Sequence, residues 1–131
     1  PSAEKDKLRD IKPSDLIREG PVCKPVPPHP TWNPTPEEFK KANDRVEKGF
    51  KEIIKRAPPS EDTEYTTLLV CHGNVIRYFA LKALQLPPER WLSLAVYNAS
   101  ITFLKVNPDG GVSCRGLGDV GHFSPDKITY G

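Results

Sequence analysis

The chain has 131 residues, enough for one hydrophobic core and little more, with 37% hydrophobic and 27% charged residues as in an ordinary globular domain. A formal net charge of +2 gives no reason to expect nucleic acid or a lipid surface as a partner. No apolar run approaches the roughly 20 residues that span a bilayer, and the opening PSAEKDKLRD has neither a signal peptide's apolar segment nor an initiator Met, so a processed or truncated chain is expected.

Residues 1–12 are charged and weakly periodic, a poorly ordered lead-in. PSDLIREG then predicts a single helical turn closed by Gly20. Between Pro21 and Pro36 prolines are too dense for regular helix and favour an extended surface segment, with His29 as a loop residue inside it. Thr35 opens the longest predicted helix: Pro36 suits its first position and Glu38 completes a capping box. Phe39, Ala42, Val46, Phe50, Ile53 and Ile54 recur at spacings of three and four, an apolar stripe expected to pack on a sheet.

APPSEDTEY ends that helix and leads to TTLLVC, an apolar run that suits a strand buried on both faces. A second helix is expected from about Asn74, with Val75, Ile76, Phe79, Ala80, Ala83 and Leu84 on one arc, terminated by QLPPERW. ASITFLKV and GVSCRGLG read as two strands joined by NPDGG, whose Asp-Gly is a strong hairpin signal. The tail DVGHFSPDKITYG reads as irregular, with His122 either solvated or held by a local hydrogen bond. Helix, strand, helix and hairpin together predict an α/β layered domain with a thin sheet.

Chemistry is expected where TTLLVC gives way to the second helix. A helix N-terminus presents unpaired N–H groups and partial positive charge at the C-terminal end of a strand, the place where α/β proteins gather ligands. Gly73 permits close approach to the backbone, Asn74 can cap the helix, and His72 can donate a hydrogen bond to a phosphoryl oxygen. The alternative is a core histidine bonded to the backbone beside a simple cap. CHGNVIR also has the Cys-x5-Arg spacing of cysteine-dependent phosphatases, in which a thiolate attacks phosphorus and the arginine grips the oxygens. The flanking positions of that motif are not matched: Val70, Asn74 and Tyr78 stand where it has His, Gly and Ser or Thr. Arg77, off the apolar arc, reads by default as solvated. Three cysteines cannot all pair internally, and Cys71 and Cys114 lie in apolar or β-like runs, so free thiols in a reducing compartment are expected. His29, His72 and His122 lie far apart with no Cys-x-x-Cys beside them, so no metal site is expected.

Taken together, DLIREG, CHGNVIRYFALKALQLPPERW, NASITFLKVNPDGGV and LGDVGHFSPDKITYG resemble the mitochondrial serine/threonine protein phosphatases of the histidine phosphatase superfamily, from about Ser14 to the end. SPDKIT points to this branch and not to true phosphoglycerate mutases. The resemblance implies a phosphoglycerate-mutase-like three-layer α/β fold, incomplete for want of the N-terminal strand and helix. Residues 1–131 are then the C-terminal portion of a single domain with 21–36 as a proline-rich connector within it.

That family's nucleophile is a histidine in an Arg-His-Gly triplet, which forms a phosphohistidine. The one His-Gly in this chain, His72-Gly73, follows Cys71 and matches the family's second histidine. The family's second phosphate-clamping arginine has no counterpart. The resemblance therefore implies His72 as phosphoryl hydrogen-bond donor, Glu19 as the acid that protonates the leaving oxygen and later activates water, and Gly73 and Asn74 as the phosphate-binding turn. Outside the resemblance Glu19 is an ordinary charged loop residue. No cofactor or metal is implied; the implied partners are phosphoproteins and copies of the chain itself, with a membrane reached only through an anchor these residues lack. Two alternatives stand beside this: a non-catalytic interaction module using the tail and the proline-rich connector, and a thiol-dependent phosphatase using Cys71. An uncovered TTLLVC edge would also leave the isolated chain marginally stable and prone to pair with other chains.

Overall fold

The computed structural model describes residues 11–57 and 64–130. Most of the lead-in expected over residues 1–12, and the middle of the APPSEDTEY connection, lie outside the described residues. Ser14 opens a single 3-10 turn, Asp15–Ile17, by accepting from the Leu16 N–H at 3.3 Å. The turn closes at Arg18, whose N–H returns to the Asp15 carbonyl, and not at Gly20 as expected. Gly20, with φ of +151°, instead redirects the chain into the proline-rich segment.

Residues 21–35 carry no helix or strand, as their prolines require. They are fastened by specific bonds all the same: the Val26 N–H donates to Glu89 O at 2.8 Å, the Trp91 indole N–H to Cys23 O at 3.0 Å, and Asn43 Nδ2 to Val22 O at 2.9 Å. Val22 is fully buried.

Helix α1, Pro36–Ile53, begins as its sequence dictates. Thr35 accepts from the Glu38 N–H at 3.2 Å, and the Glu38 carboxylate accepts from the Thr35 N–H at 2.7 Å, which satisfies two orphan donors reciprocally. Phe39, Ala42 and Val46 are buried, while Phe50, Ile53 and Ile54 pack against the core from its edge. The stripe faces a second helix and not the expected sheet: Phe50 meets Phe79 edge-to-face at 5.5 Å, and Glu47 pairs with Lys82 at 2.7 Å.

The reason lies in residues 66–71. Expected as a strand buried on both faces, they run extended without a ladder, because among the described residues nothing lies alongside to accept and donate hydrogen bonds. The alternation of a strand survives: Leu69 and Cys71 turn to the core, whereas Leu68 and Val70 are 72% and 81% exposed.

Helix α2, Gly73–Ala83, follows with His72 at its N-cap. Val75, Tyr78, Phe79, Ala80, Leu81 and Ala83 are buried. Tyr78 and Leu81 lie beyond the expected arc because α2 is covered on more than one side, by α1 and by the 3-10 turn Pro88–Ser93 that delivers the buried Trp91. The expected stop falls in place: Gln85 takes a left-handed φ of 57°, its N–H bonds to Lys82 O, and the Leu86 N–H bonds to Leu81 O, the paired bonds of a Schellman closure.

Strands β1, Ile101–Val106, and β2, Val112–Asp119, form an antiparallel hairpin with Leu104 opposite Cys114 and Val106 opposite Val112. Its loop is the expected one: the Asn107 N–H reaches Gly111 O at 2.8 Å, and Gly110 supplies the left-handed residue at φ +91°. The tail is irregular apart from the 3-10 turn Pro125–Lys127, and a bond from the Asn98 N–H to Thr129 O pins it to the segment before β1. The mixed α/β composition matches the expectation, while β1–β2 is the only ladder of named strands among the described residues.

Candidate functional site

His72 leaves the extended segment at φ −116° and ψ 160°, caps α2 by position only, and offers no side-chain bond to the helix. Its ring is exposed. The first backbone N–H groups of α2 therefore keep their partial positive charge unmasked by a capping side chain. Gly73 packs closely: a Cβ there would stand 3.3 Å from Val96 Cγ2, tighter than an ordinary contact, and 3.9 Å from the Arg77 guanidinium. Val96 is held in turn by β2, since Gly118, at φ +62°, lies so close to it that a Cβ would come within 2.9 Å of Ala95 O and 3.3 Å of Val96 Cα.

Asn74 differs from its expected role. The cap position belongs to His72, so Asn74 lies inside the first helical turn, and its amide spans outward instead. Nδ2 donates to the Gly20 carbonyl at 3.2 Å, and Oδ1 accepts from Arg77 Nη1 at 3.1 Å. Arg77 is likewise not the solvated residue expected. It is half-buried, curled back beneath the turn, with its Nε buried and without a partner among the described residues. The Asn74–Gly20 bond brings LIREG to CHGN across more than fifty positions of sequence, so Glu19, Gly20, His72, Gly73 and Asn74 converge on one end of α2.

Glu19 is exposed, and its Oε1 accepts from the Gly20 N–H at 2.9 Å. The segment that carries it is clamped from α1. Arg45 Nη1 donates to Leu16 O at 2.8 Å and Arg18 O at 3.0 Å, with Asp15 O at 3.5 Å, and burial together with the nearby Arg18 charge lowers the proton affinity of the Arg45 guanidinium. Sequence reasoning singled out neither this clamp nor the Arg77 strut. Arg45 binds main-chain carbonyls, which every residue has, and no spacing rule marks such a contact.

Cys71 supplies a check on the thiolate alternative. Burial, the largest influence, pushes its thiol up; a bond with the His72 backbone opposes this in part, and the Glu19 carboxylate adds a smaller push upward. An attacking thiolate needs the opposite environment. With its side chain packed against the core and Arg77 engaged by Asn74, the arrangement of a cysteine-dependent phosphatase is not assembled. Neither of the other two histidines joins His72: His29, whose Nδ1 accepts from the Trp32 N–H at 2.9 Å, sits in its own loop on the Asn74 side, and His122 Nε2 lies 3.1 Å from Ala99 O. Among the described residues no three His, Cys, Asp or Glu side chains gather as metal ligands would.

The sequence profile of the histidine phosphatase superfamily, branch 1, matches residues 23–118, most of the chain. The chain belongs to the histidine phosphatase superfamily. Among curated relatives, the protein named mitochondrial serine/threonine-protein phosphatase Pgam5 of Caenorhabditis briggsae is 50% identical over 117 residues, which is 89% of this chain and 41% of that protein. The protein of that name from Caenorhabditis elegans is 46% identical over the same shares. The human one is 43% identical over 116 residues, 88% of this chain and 40% of its own length. The chain thus spans about two fifths of the length of these relatives. The resemblance to mitochondrial protein phosphatases of this superfamily therefore holds over most of the chain.

Proposed function

We propose that these residues form the phosphate-holding side of a mitochondrial serine/threonine protein phosphatase that works through a phosphohistidine. The single observation that carries this reading is the bond from Asn74 Nδ2 to Gly20 O, which sets the segment bearing Glu19 against the turn bearing His72. Relatives that match most of this chain bear the name of mitochondrial serine/threonine-protein phosphatases, which supports the activity, while the phosphohistidine rests on the resemblance. Phosphoproteins are the substrates in this reading, and the protein works as a homo-oligomer without nucleic acid.

The chemistry runs in two steps. An imidazole nitrogen attacks phosphorus in line, and the bond from phosphorus to the seryl or threonyl oxygen breaks. His72 and the N–H groups of Gly73 and Asn74 donate to the phosphoryl oxygens where negative charge grows, while Glu19 delivers a proton to the departing oxygen. Water then attacks phosphorus while Glu19 takes its proton, the phosphorus–nitrogen bond breaks, and inorganic phosphate leaves with the imidazole restored. The attacking imidazole is not among these residues, because no histidine here stands in an Arg-His-Gly triplet. The chain alone is therefore a binder without turnover: a missing hydrogen-bond donor costs about 3 kcal/mol, whereas a missing attacking group removes the covalent route.

Titration of the chain with inorganic phosphate, followed by amide shifts, tests this. Shifts are expected at Gly73, Asn74 and Val75, with affinity lowered roughly tenfold in His72→Ala, the loss of one charge-assisted bond. Turnover of a phosphopeptide by the chain alone, or a phosphoryl adduct on any of its side chains, would falsify the assignment of His72 as a helper.

A further inference from the structure

A depression of about 200 Å3 opens beside the phosphate turn, between the proline-rich segment and the 3-10 turn Pro88–Ser93. His29, Trp32, Asn74, Trp91 and Leu92 line it. Trp32 stands edge-to-face with both His29 and Trp91, at 6.3 Å and 6.0 Å between ring centroids. Trp91 is buried, Trp32 and His29 are half-buried, and Leu92, 37% exposed, forms the lip.

The rings are fixed before any ligand arrives. The Trp91 indole N–H is tied to Cys23 O, and the His29 Nδ1 accepts from the Trp32 and Thr31 N–H groups at 2.9 Å and 3.2 Å. A preset wall lowers the ordering cost of binding. With Nδ1 committed, Nε2 is the polar atom His29 has left for a ligand.

Size and lining narrow the occupant. The depression falls below the roughly 300–1,000 Å3 of pockets that take whole small molecules, so it suits one side chain. Its walls are mostly aromatic and aliphatic, which a small phosphorylated metabolite, polar over its whole surface, would not fill. Asn74 belongs both to this lining and to the turn read as holding phosphate, so the two places adjoin and one peptide can reach both.

We propose that this depression is a specificity subsite that takes an apolar or aromatic side chain flanking the phosphorylated serine or threonine of a peptide substrate. This rests on the reading of His72, Gly73 and Asn74 as the phosphate turn. Preference for a substrate then comes from the neighbour of the phosphorylated residue, with Trp32, Trp91 and Leu92 supplying contact area and His29 Nε2 a bond to the peptide.

Both tryptophans of the chain line the depression, so their emission reads its occupancy directly. The probes are phosphothreonine decapeptides with Phe placed at each of three positions on either side, the same peptides with Gly in place of Phe, and inorganic phosphate. At one or two positions Phe is expected to blue-shift the emission and tighten binding about tenfold over Gly, the gain from burying one apolar side chain. Leu92→Ser, which changes only the lip, is expected to cut that gain below about threefold; Trp32→Ala removes a wall but also a partner of Phe39, so the lip variant keeps the test open if it unfolds. Equal binding of Phe and Gly peptides at every position, with Gly73 and Asn74 still shifting on phosphate, overturns the subsite and leaves the phosphate turn standing. No shift at Gly73 or Asn74 with any phosphorylated probe sinks the parent reading instead. A Phe-dependent emission change without that shift also overturns the subsite, since the depression would then not serve a phosphorylated substrate.

Discussion

Asn74 and Glu47 each act through a bond to an element distant in sequence. Asn74 Nδ2 ties the turn of α2 to Gly20, and Glu47 on α1 accepts from both Lys82 and the buried Tyr78 hydroxyl on α2. Burial raises the Glu47 carboxyl, but the bonds from Lys82 and Tyr78 outweigh it and leave the group below its usual 4.5. A carboxyl held low in the folded chain stabilises fully above its unfolded pKa, and this contribution fades as pH falls through the folded value. Tyr78 behaves oppositely: burial, then its bond to Glu47, raise it above the usual 10.0, so its share persists below 10 and is lost only as pH rises beyond. The urea midpoint should therefore hold level from about pH 5 to 9 and drop on the acid side, and Glu47→Gln should flatten that acid limb while lowering the plateau. An acid limb equally steep in the variant would show that Glu47 is not its source. At this scale the sequence marked His72 and Gly73 because a strand-to-helix junction is a local pattern. Glu19 needed the resemblance, Arg77 was read as solvated although its partner Asn74 is only three positions away, and Arg45 and Glu47 escaped notice because their partners are brought near only by the fold.

Elements were legible where their causes are local. Thr35, Pro36 and Glu38 form the N-terminus of α1 through contacts within four positions, and Asp109-Gly110 make the hairpin loop in the same way. TTLLVC failed as a strand for the opposite reason: its residues have the pattern, but a ladder requires a neighbour that the pattern cannot supply. The hairpin matters to the site through Gly118, which lets β2 lie against Ala95 and Val96 and so presses Val96 toward Gly73. Gly118→Ala combines a left-handed φ with a contact of 2.9 Å to a carbonyl, so it should destabilise by about 1–3 kcal/mol. Gly116→Ala, whose Cβ would meet nothing nearer than 4.0 Å, should stay within about 0.5 kcal/mol of the parent. Thermal or urea unfolding of the pair decides this, and equal losses would mean that the close approach at Gly118 carries no special weight.

For the molecule as a whole, the α/β composition and the order of helices and hairpin could be read in advance, while the way α1 and α2 close on each other could not. An apolar stripe on each helix says which side is buried but not which surfaces meet. Leu68 and Val70 remain on an extended, unpaired edge, the geometry through which chains add to one another. Light scattering should show association that grows with concentration, and Leu68→Lys should suppress it; a wild-type chain that stays monomeric across the micromolar range would contradict the expectation. Residues 21–35 point the other way. Although irregular, they are sewn to α1 and to Pro88–Ser93 through Val22, Cys23 and Val26. Their amide protons at Val26 and Trp32 should accordingly exchange with deuterium about as slowly as those of the helices, so that a stretch without periodic structure melts together with the core and not ahead of it.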